Sequence, residues 1–465
     1  MLLQAESSSA IYKQIVEQIR SQIVDGKLAP GDSLPTVRSL ASELEVSALT
    51  VFRAYGELRD MGLLETRARQ GVLVANRIGP SVGSAIMARL PVQGPMASYE
   101  QLSRSTGIRS MASSVGDPAL FFADQFVAEV QRFRDQDPWN FYLAEPEGVP
   151  ELIQQIAAIL SRQGLAASEA TLVVTSGSLQ GLSVLFDAIA SPGDVVLVQE
   201  PGRIWLKELL SLKRLVGVPV RLAGSGIDLD HVRYCFKQFR PKALLVSPDF
   251  GHCTGLRMTL AERERCLSLA RELGILIIED AACSAIGLGI SSLSPIRSLD
   301  TSAVAYVGSF SYSLCPGLGV GYLSLPPALK LPVKSVTAAS GASTPKFLQL
   351  ALAGYVRSGF YDAHLKRVIP RYAARRDGLV ASLKQFMPTT VAWTASQGGF
   401  STWLTLGENV SSSELYDKAL KRGIAFAPGA LFLTTASPES QLRLSFGMLE
   451  PEALREAVKA LASLL

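Results

Sequence analysis

Ser309-Phe310-Ser311-Tyr312-Ser313 gathers hydroxyls and a phenol in one short stretch, directly after the apolar run Ala303–Val307. Three more polar residues or turns sit beside apolar runs: Thr175-Ser176-Gly177-Ser178, Asp280, and Arg443 within Leu442-Arg443-Leu444. The Gly177-Ser178 turn leads from a strand into a helix, so free backbone N–H groups and the helix dipole would both favour a phosphate. Asp280 could equally cap the turn that follows its strand, Arg443 could form an internal ion pair, and Ser309 and Ser311 could be ordinary loop serines. A primary amine is missing from the Ser-rich stretch. A phenol cannot form an imine with a carbonyl, so Tyr312 cannot start Schiff-base chemistry.

The elements that would position these groups follow from periodicity. Thr171–Thr175, Asp194–Gln199, Ala243–Ser247, Ile275–Glu279 and Ala303–Val307 are short runs of Val, Ile, Leu and Ala separated by long amphipathic segments. Continuous rather than alternating apolar runs mark strands buried on both faces, which is a parallel sheet covered by helices. From about residue 335 the pattern changes to a long helical portion, then Gly398–Leu404, Gln441–Phe446 and a final helix, as expected of a smaller α+β subdomain.

The first 76 residues differ. Ile11, Ile15, Ile19 and Ile23 recur every fourth residue and form one helical stripe, closed by Gly26 and Pro30-Gly31. A second helix is expected near Val37–Leu44. After a turn at Glu45-Val46, Ser47 is placed to cap a third, Thr50–Met61, with Val51, Tyr55 and Leu58 facing inward. Gly62–Thr66 and Val72–Val74 around Arg67–Gly71 read as a two-stranded wing.

This arrangement resembles the winged helix-turn-helix of GntR-family regulators, on Tyr12, Pro30-Gly31, Leu34–Arg38, Leu40-Ala41, Val46-Ser47, Thr50-Val51, Arg53–Tyr55, Leu58, Gly62 and Gln70-Gly71. The resemblance implies double-stranded DNA as a partner, contacted by Arg38, Ser47, Thr50 and Arg53 from the recognition region and by Gln70 and Gly71 from the wing. Ala48-Leu49 departs from the polar or basic pair usual after Val-Ser, so guanine is not expected to be read by an arginine there. The 8 lysines and arginines against 9 acids in residues 1–76 give a net charge of −1, which predicts no strong nonspecific grip on phosphates.

Residues from about 117 to the carboxyl end are similar to fold-type I aminotransferases. Tyr142 with Gly148–Leu152 resembles their entry motif. The resemblance implies a phosphate turn at Gly177 and Ser178, a partner for the pyridinium nitrogen at Asp280, Ser309 and Ser311 beside the cofactor lysine, and a carboxylate-gripping arginine at Arg443. Tyr312 then stands where that lysine belongs, Gly319 where an arginine holds the phosphate, and Arg203 where an aromatic ring stacks. Ala282 replaces the tyrosine after the aspartate, and His252–Gly255 departs from Asn-Pro-Thr-Gly. The expected cofactor-like pocket is thus Tyr142, Gly177, Ser178, Asp280, Ser309, Ser311, Tyr312 and Arg443. No catalytic residue and no covalently held cofactor are expected there, and any pyridoxal phosphate would bind noncovalently. Lys330 and Lys334 lie beyond the expected strand Val320–Ser324 and are not placed to substitute.

A GntR-like head on an aminotransferase-like body resembles the MocR/GabR subfamily of bacterial regulators. That implies head 1–76, linker 77–114 with a short helix near Ser84–Leu90, large domain 115–334 and small subdomain 335–465. It also implies a head-to-tail homodimer and a small-molecule effector. The alternatives are a pyridoxal-phosphate-dependent aminotransferase with an accessory domain, and a dimerisation or interaction protein that binds no DNA. Composition suits a multidomain cytosolic chain: 465 residues, 48% hydrophobic, 18% charged and a net charge of +4. Cysteines at 235, 253, 266, 283 and 315 have no metal-ligand spacing and suit a reducing compartment. No apolar run is long enough for a membrane span, and no export leader is expected.

Overall fold

A computed structural model describes residues 11–24, 27–29, 31–60, 63–67, 71–75, 107–290, 293–341, 343–407, 410–432 and 440–465. The chain divides into two compact units, 1–94 and 95–465. The expected helix near Ser84–Leu90 lies outside the described residues.

The first unit is a three-helix head with a wing. Helices α1 (Ile11–Val24), α2 (Val37–Glu43) and α3 (Ala48–Asp60) pack Ile15, Ile19, Ile23, Leu40, Val51, Tyr55 and Leu58 into one core. Thr36 caps α2 by accepting from the Ser39 N–H at 3.2 Å. Ser47 does the same for α3, accepting from the Thr50 N–H at 3.1 Å, so α3 begins at Ala48, two residues before Thr50. The Tyr55 hydroxyl donates to the Pro35 carbonyl at 2.9 Å and fixes α3 against the segment entering α2. Strands β1 (Leu64–Arg67) and β2 (Gly71–Val74) pair antiparallel as the wing.

The second unit is a mostly parallel sheet covered on both faces, with a smaller α+β part. Its strands are β4 (Leu172–Thr175), β5 (Val195–Glu200), β6 (Val216–Ala223), β7 (Gly226–Ile227), β8 (Ala243–Val246), β9 (Leu276–Asp280), β10 (Val304–Ser309) and β11 (Gly321–Ser324), following the short β3 (Arg109–Ser110). The order is β4-β11-β10-β9-β8-β5-β6-β7, antiparallel at β4-β11-β10 and at β6-β7 and parallel between. The β4, β8 and β10 residues are buried throughout, which is why these runs carry no polar alternation.

Strands β12 (Ala392–Trp393), β13 (Ser401–Thr405), β15 (Ala427–Pro428) and β16 (Gln441–Ser445) form the smaller sheet in the order β12-β13-β16-β15. Helices Phe360–Phe386 and Pro451–Ala462 share its core. Two features differ from the expected layout. Arg109–Ser110, read as linker, is β3 and pairs in parallel with β14 (Ile424–Ala425), while Met111 and Ala112 are buried in the core of the smaller part. A two-residue strand is too short to leave a periodic signal. Helix Pro327–Ser340 runs across residue 334, and helix Lys346–Arg357 buries Leu350, Leu352 and Tyr355 beside Leu152 and Ile156 of the larger part. Among the described residues no helix is long and apolar enough to cross a membrane.

Candidate ligand site and recognition helix

Polar residues following five strands of one sheet converge on a cavity of about 320 Å³. In a parallel sheet the carboxyl ends of the strands open together, so residues far apart in the chain meet there. Gly177 and Ser178 follow β4, Arg203 follows β5, His252 follows β8, Asp280 ends β9, and Ser309, Ser311 and Tyr312 stand at the end of β10. The smaller part contributes Arg443 from β16, Ala427 and Leu431, and residues 112–115 close another side.

The Gly177-Ser178 turn is built by close approach. Gly177 has φ +89, which glycine alone takes without strain, and a Cβ on Gly321 would lie 2.6 Å from the Gly177 carbonyl carbon. These two glycines let β11 pass beneath the turn that opens helix Ser178–Ile189. Gly319, at φ +58, faces open space.

Charge in the site is organised around Asp280. Arg203 Nη1 donates to Asp280 Oδ2 at 3.0 Å and Nη2 donates to Ser178 Oγ at 3.0 Å. His252 Nε2 lies 3.2 Å from the same Oδ2, and the Ala282 N–H donates to Oδ1 at 3.2 Å. Arg203 is 8% exposed and Asp280 2%, so this is a buried ion pair. Burial alone would raise the Asp280 carboxyl, but the Arg203 charge and the His252 contact outweigh it and hold it well below the carboxylate range. Burial lowers His252 despite the neighbouring carboxylate and so disfavours a second positive charge on Asp280. Burial likewise raises the Tyr312 phenol, whose ring meets that of His252 edge-on at 5.2 Å.

Arg443 is the second cation and lacks such a partner. It is 2% exposed, its Nη2 donates to the Ala112 carbonyl, and its guanidinium lies 4.5 Å over the Phe432 ring. Among the described residues no carboxylate pairs with it, and its Nε has no hydrogen-bond acceptor. Burial lowers its pKa, because the charged form is held away from water.

Gly177, Ser178, Ser309, Ser311, Tyr312 and Arg443 therefore line one cavity. Asp280 is not among the lining residues, because Arg203 and His252 stand in front of it. Tyr142, expected in the same pocket, is not brought there: it is 62% exposed and packs edge-on to Trp139 at 5.5 Å. From the sequence Arg203 and His252 stand out as departures from a motif that could line a new polar pocket or be exposed loop residues. They are buried against Asp280, 77 and 28 residues away.

The fold implies pyridoxal phosphate, and the lining can be tested for it. Among the described residues no lysine lines the cavity. Lys330 Nζ donates to the Glu169 and Leu172 carbonyls and Lys334 Nζ to Glu147 Oε1 at 2.7 Å, both away from the site. The carboxylate that would face a pyridinium already carries a guanidinium, and burial closes it off. These residues do not fit the group.

In the head, Arg38, Ser47 and Arg53 are exposed and Thr50 is half-buried. Ser47 Oγ and Thr50 Oγ1 are 2.7 Å apart, and the Arg53 guanidinium lies 4.1 Å over the Tyr12 ring. Leu49 is 75% and Phe52 57% exposed on the same helix. Gly71 opens β2 at φ +83, and Gln70 lies outside the described residues.

Comparison with known proteins agrees with both units. The family described as aminotransferase class I and II matches residues 114–461, and that of bacterial regulatory proteins, gntR family, matches residues 11–74. The chain is 28% identical to the HTH-type transcriptional regulator YdcR of Escherichia coli, over 98% of each chain. It is 26% identical to the probable rhizopine catabolism regulatory protein MocR of Rhizobium meliloti, over 100% of this chain and 95% of that one. The multiple substrate aminotransferase of Thermococcus profundus superposes with a TM-score of 0.76 at 24% identity, over 81% of this chain and 96% of that one, a likeness of fold. The chain belongs to the aminotransferase class I and II family and joins to that domain a GntR helix-turn-helix head, the layout of its MocR-type regulator homologues.

Proposed function

We propose that the protein is a cytoplasmic, dimeric, DNA-binding transcriptional regulator whose aminotransferase-like body binds a small anionic effector without Schiff-base chemistry. One observation carries this reading. Among the described residues the cavity is lined by two buried guanidinium groups, of which Arg203 alone pairs with a carboxylate, and by no primary amine. Since His252 and Tyr312 are held neutral, a net positive charge remains on Arg443, which a ligand carboxylate would satisfy with paired N–H donors. Tyr312 in place of the family's lysine removes the covalent step of a transaminase, and the Arg203 to Asp280 pair removes the pyridinium partner. Pyridoxal phosphate is therefore not the effector.

The head supplies the output. Arg38, Ser47, Thr50 and Arg53 would contact phosphates and base edges as α3 enters the major groove, with Gln70 and Gly71 at the wing. Tyr12 holds the Arg53 guanidinium at one end of the helix, so less side-chain freedom is lost on binding. The exposed cluster Trp139, Phe141, Tyr142 and Leu143 is the apolar surface we assign to head-to-tail pairing of two bodies. An effector that prefers one pairing geometry would bias the spacing of two recognition helices.

Fluorescence anisotropy with the duplex upstream of the protein's own gene tests this. Saturable binding by the unmodified dimer is expected, with Arg53→Ala weakened by roughly 1 to 3 kcal/mol, about fivefold or more. Equal binding by both proteins, or none by either, would count against a DNA-binding regulator.

A further inference from the structure

Arg203 spans the two ends of the site that a pyridoxal ring would need. Its planar guanidinium reaches Asp280 Oδ2 with Nη1 and Ser178 Oγ with Nη2, both at 3.0 Å. Asp280 marks the end of β9 and Ser178 the first turn of helix Ser178–Ile189. One side chain thus engages both the carboxylate and the helix N-terminus, the two features that could hold the opposite ends of a phosphorylated pyridine. His252 Nε2 lies 3.2 Å from the same carboxylate oxygen and the Ala282 N–H donates to the other. An incoming ring nitrogen would find three polar groups already against the carboxylate.

Displacing Arg203 would not be a simple exchange. Arg203 is 8% exposed and its Nε has no hydrogen-bond acceptor, so moving the guanidinium off Asp280 separates two buried charges that now neutralise each other. The cation is also tethered to the site by its own backbone, whereas a free ligand has to give up translational and rotational freedom to compete. Exclusion is then electrostatic: the carboxylate charge that would attract the ring is already neutralised.

We propose that Arg203 is the resident counter-ion of Asp280 and by itself keeps pyridoxal phosphate and its amine form out of the cavity, a specificity role that rests on the regulator reading above. The anion site left for an effector lies on the other guanidinium, Arg443, and on the cavity-facing side of Arg203. Loss of the cofactor is on this view not only the absence of a lysine. It is enforced by a second residue that would have to change before the site could take the cofactor again.

Calorimetric titration of the full-length protein with pyridoxamine 5′-phosphate tests this, because that ligand has no aldehyde and cannot label surface lysines. No saturable binding is expected for the unmodified protein. Arg203→Ala should bind saturably, while Arg203→Lys, which keeps a cation beside Asp280, should not. If Arg203→Ala does not fold, as circular dichroism would show, Arg203→Gln keeps a hydrogen bond to Asp280 without the charge and should show the same direction of change. Binding by the unmodified protein, or no gain in either folded neutral variant, would overturn the proposal. Anisotropy with the upstream duplex, run on the same samples, separates the two readings: lost DNA binding by unmodified protein refutes the regulator and leaves the exclusion by Arg203 standing.

Discussion

Arg443 and Arg203 show how the same side chain has opposite consequences in one cavity. Arg203 is neutralised by Asp280 and becomes part of the wall, whereas Arg443 has a carbonyl, a thiol and a ring around it but no acid among the described residues. A buried cation without an anion costs more than it returns unless a ligand supplies the missing charge. Arg443→Met should therefore raise the stability of the ligand-free protein by roughly 1 to 4 kcal/mol in denaturant unfolding. The same variant should lose any stabilisation by added small carboxylates, which for the unmodified protein grows as RT ln(1 + [L]/Kd). A loss of ligand-free stability would mean that Arg443 is satisfied without a ligand.

At the scale of elements, α3, the proposed recognition helix, has an unusual face. Its exposed residues include Leu49 and Phe52 beside Ser47, Thr50 and Arg53. Apolar groups in the major groove can meet the thymine methyl but offer nothing to guanine. Operators read by this helix should depend on those methyl groups. Replacing thymine by uracil in the half-site should weaken binding by about 0.8 kcal/mol, about fourfold, for each methyl contacted, and Leu49→Ala should abolish the difference. Equal affinity for the thymine and uracil duplexes would assign α3 to phosphate contacts alone. The helices and wing of the head were legible because caps and apolar stripes are local signals. The strand β3 and the helix crossing residue 334 were not, since both are settled by tertiary pairing.

For the whole molecule, the parallel sheet could be read from apolar runs because a strand buried on both faces has no room for alternation. The strand order, with β11 between β4 and β10, left no mark in the sequence. The site was legible in part for the same reason. Residues at strand ends were found by motif, but which of them touch depends on a three-dimensional convergence that joins Ser178, Arg203, His252 and Asp280. Tyr142 was drawn to the site by resemblance, and within one chain it stays outside. The account makes the body a noncovalent receptor, and this is tested most directly by the absorbance spectrum of the purified full-length protein titrated with pyridoxal phosphate. The predicted result is the spectrum of the free cofactor with no stoichiometric imine band, and after borohydride reduction only scattered, substoichiometric labelling of surface lysines in the peptide mass map. A stoichiometric imine band, with one cavity lysine labelled after reduction, would contradict the account and return the protein to the enzymes whose fold it shares.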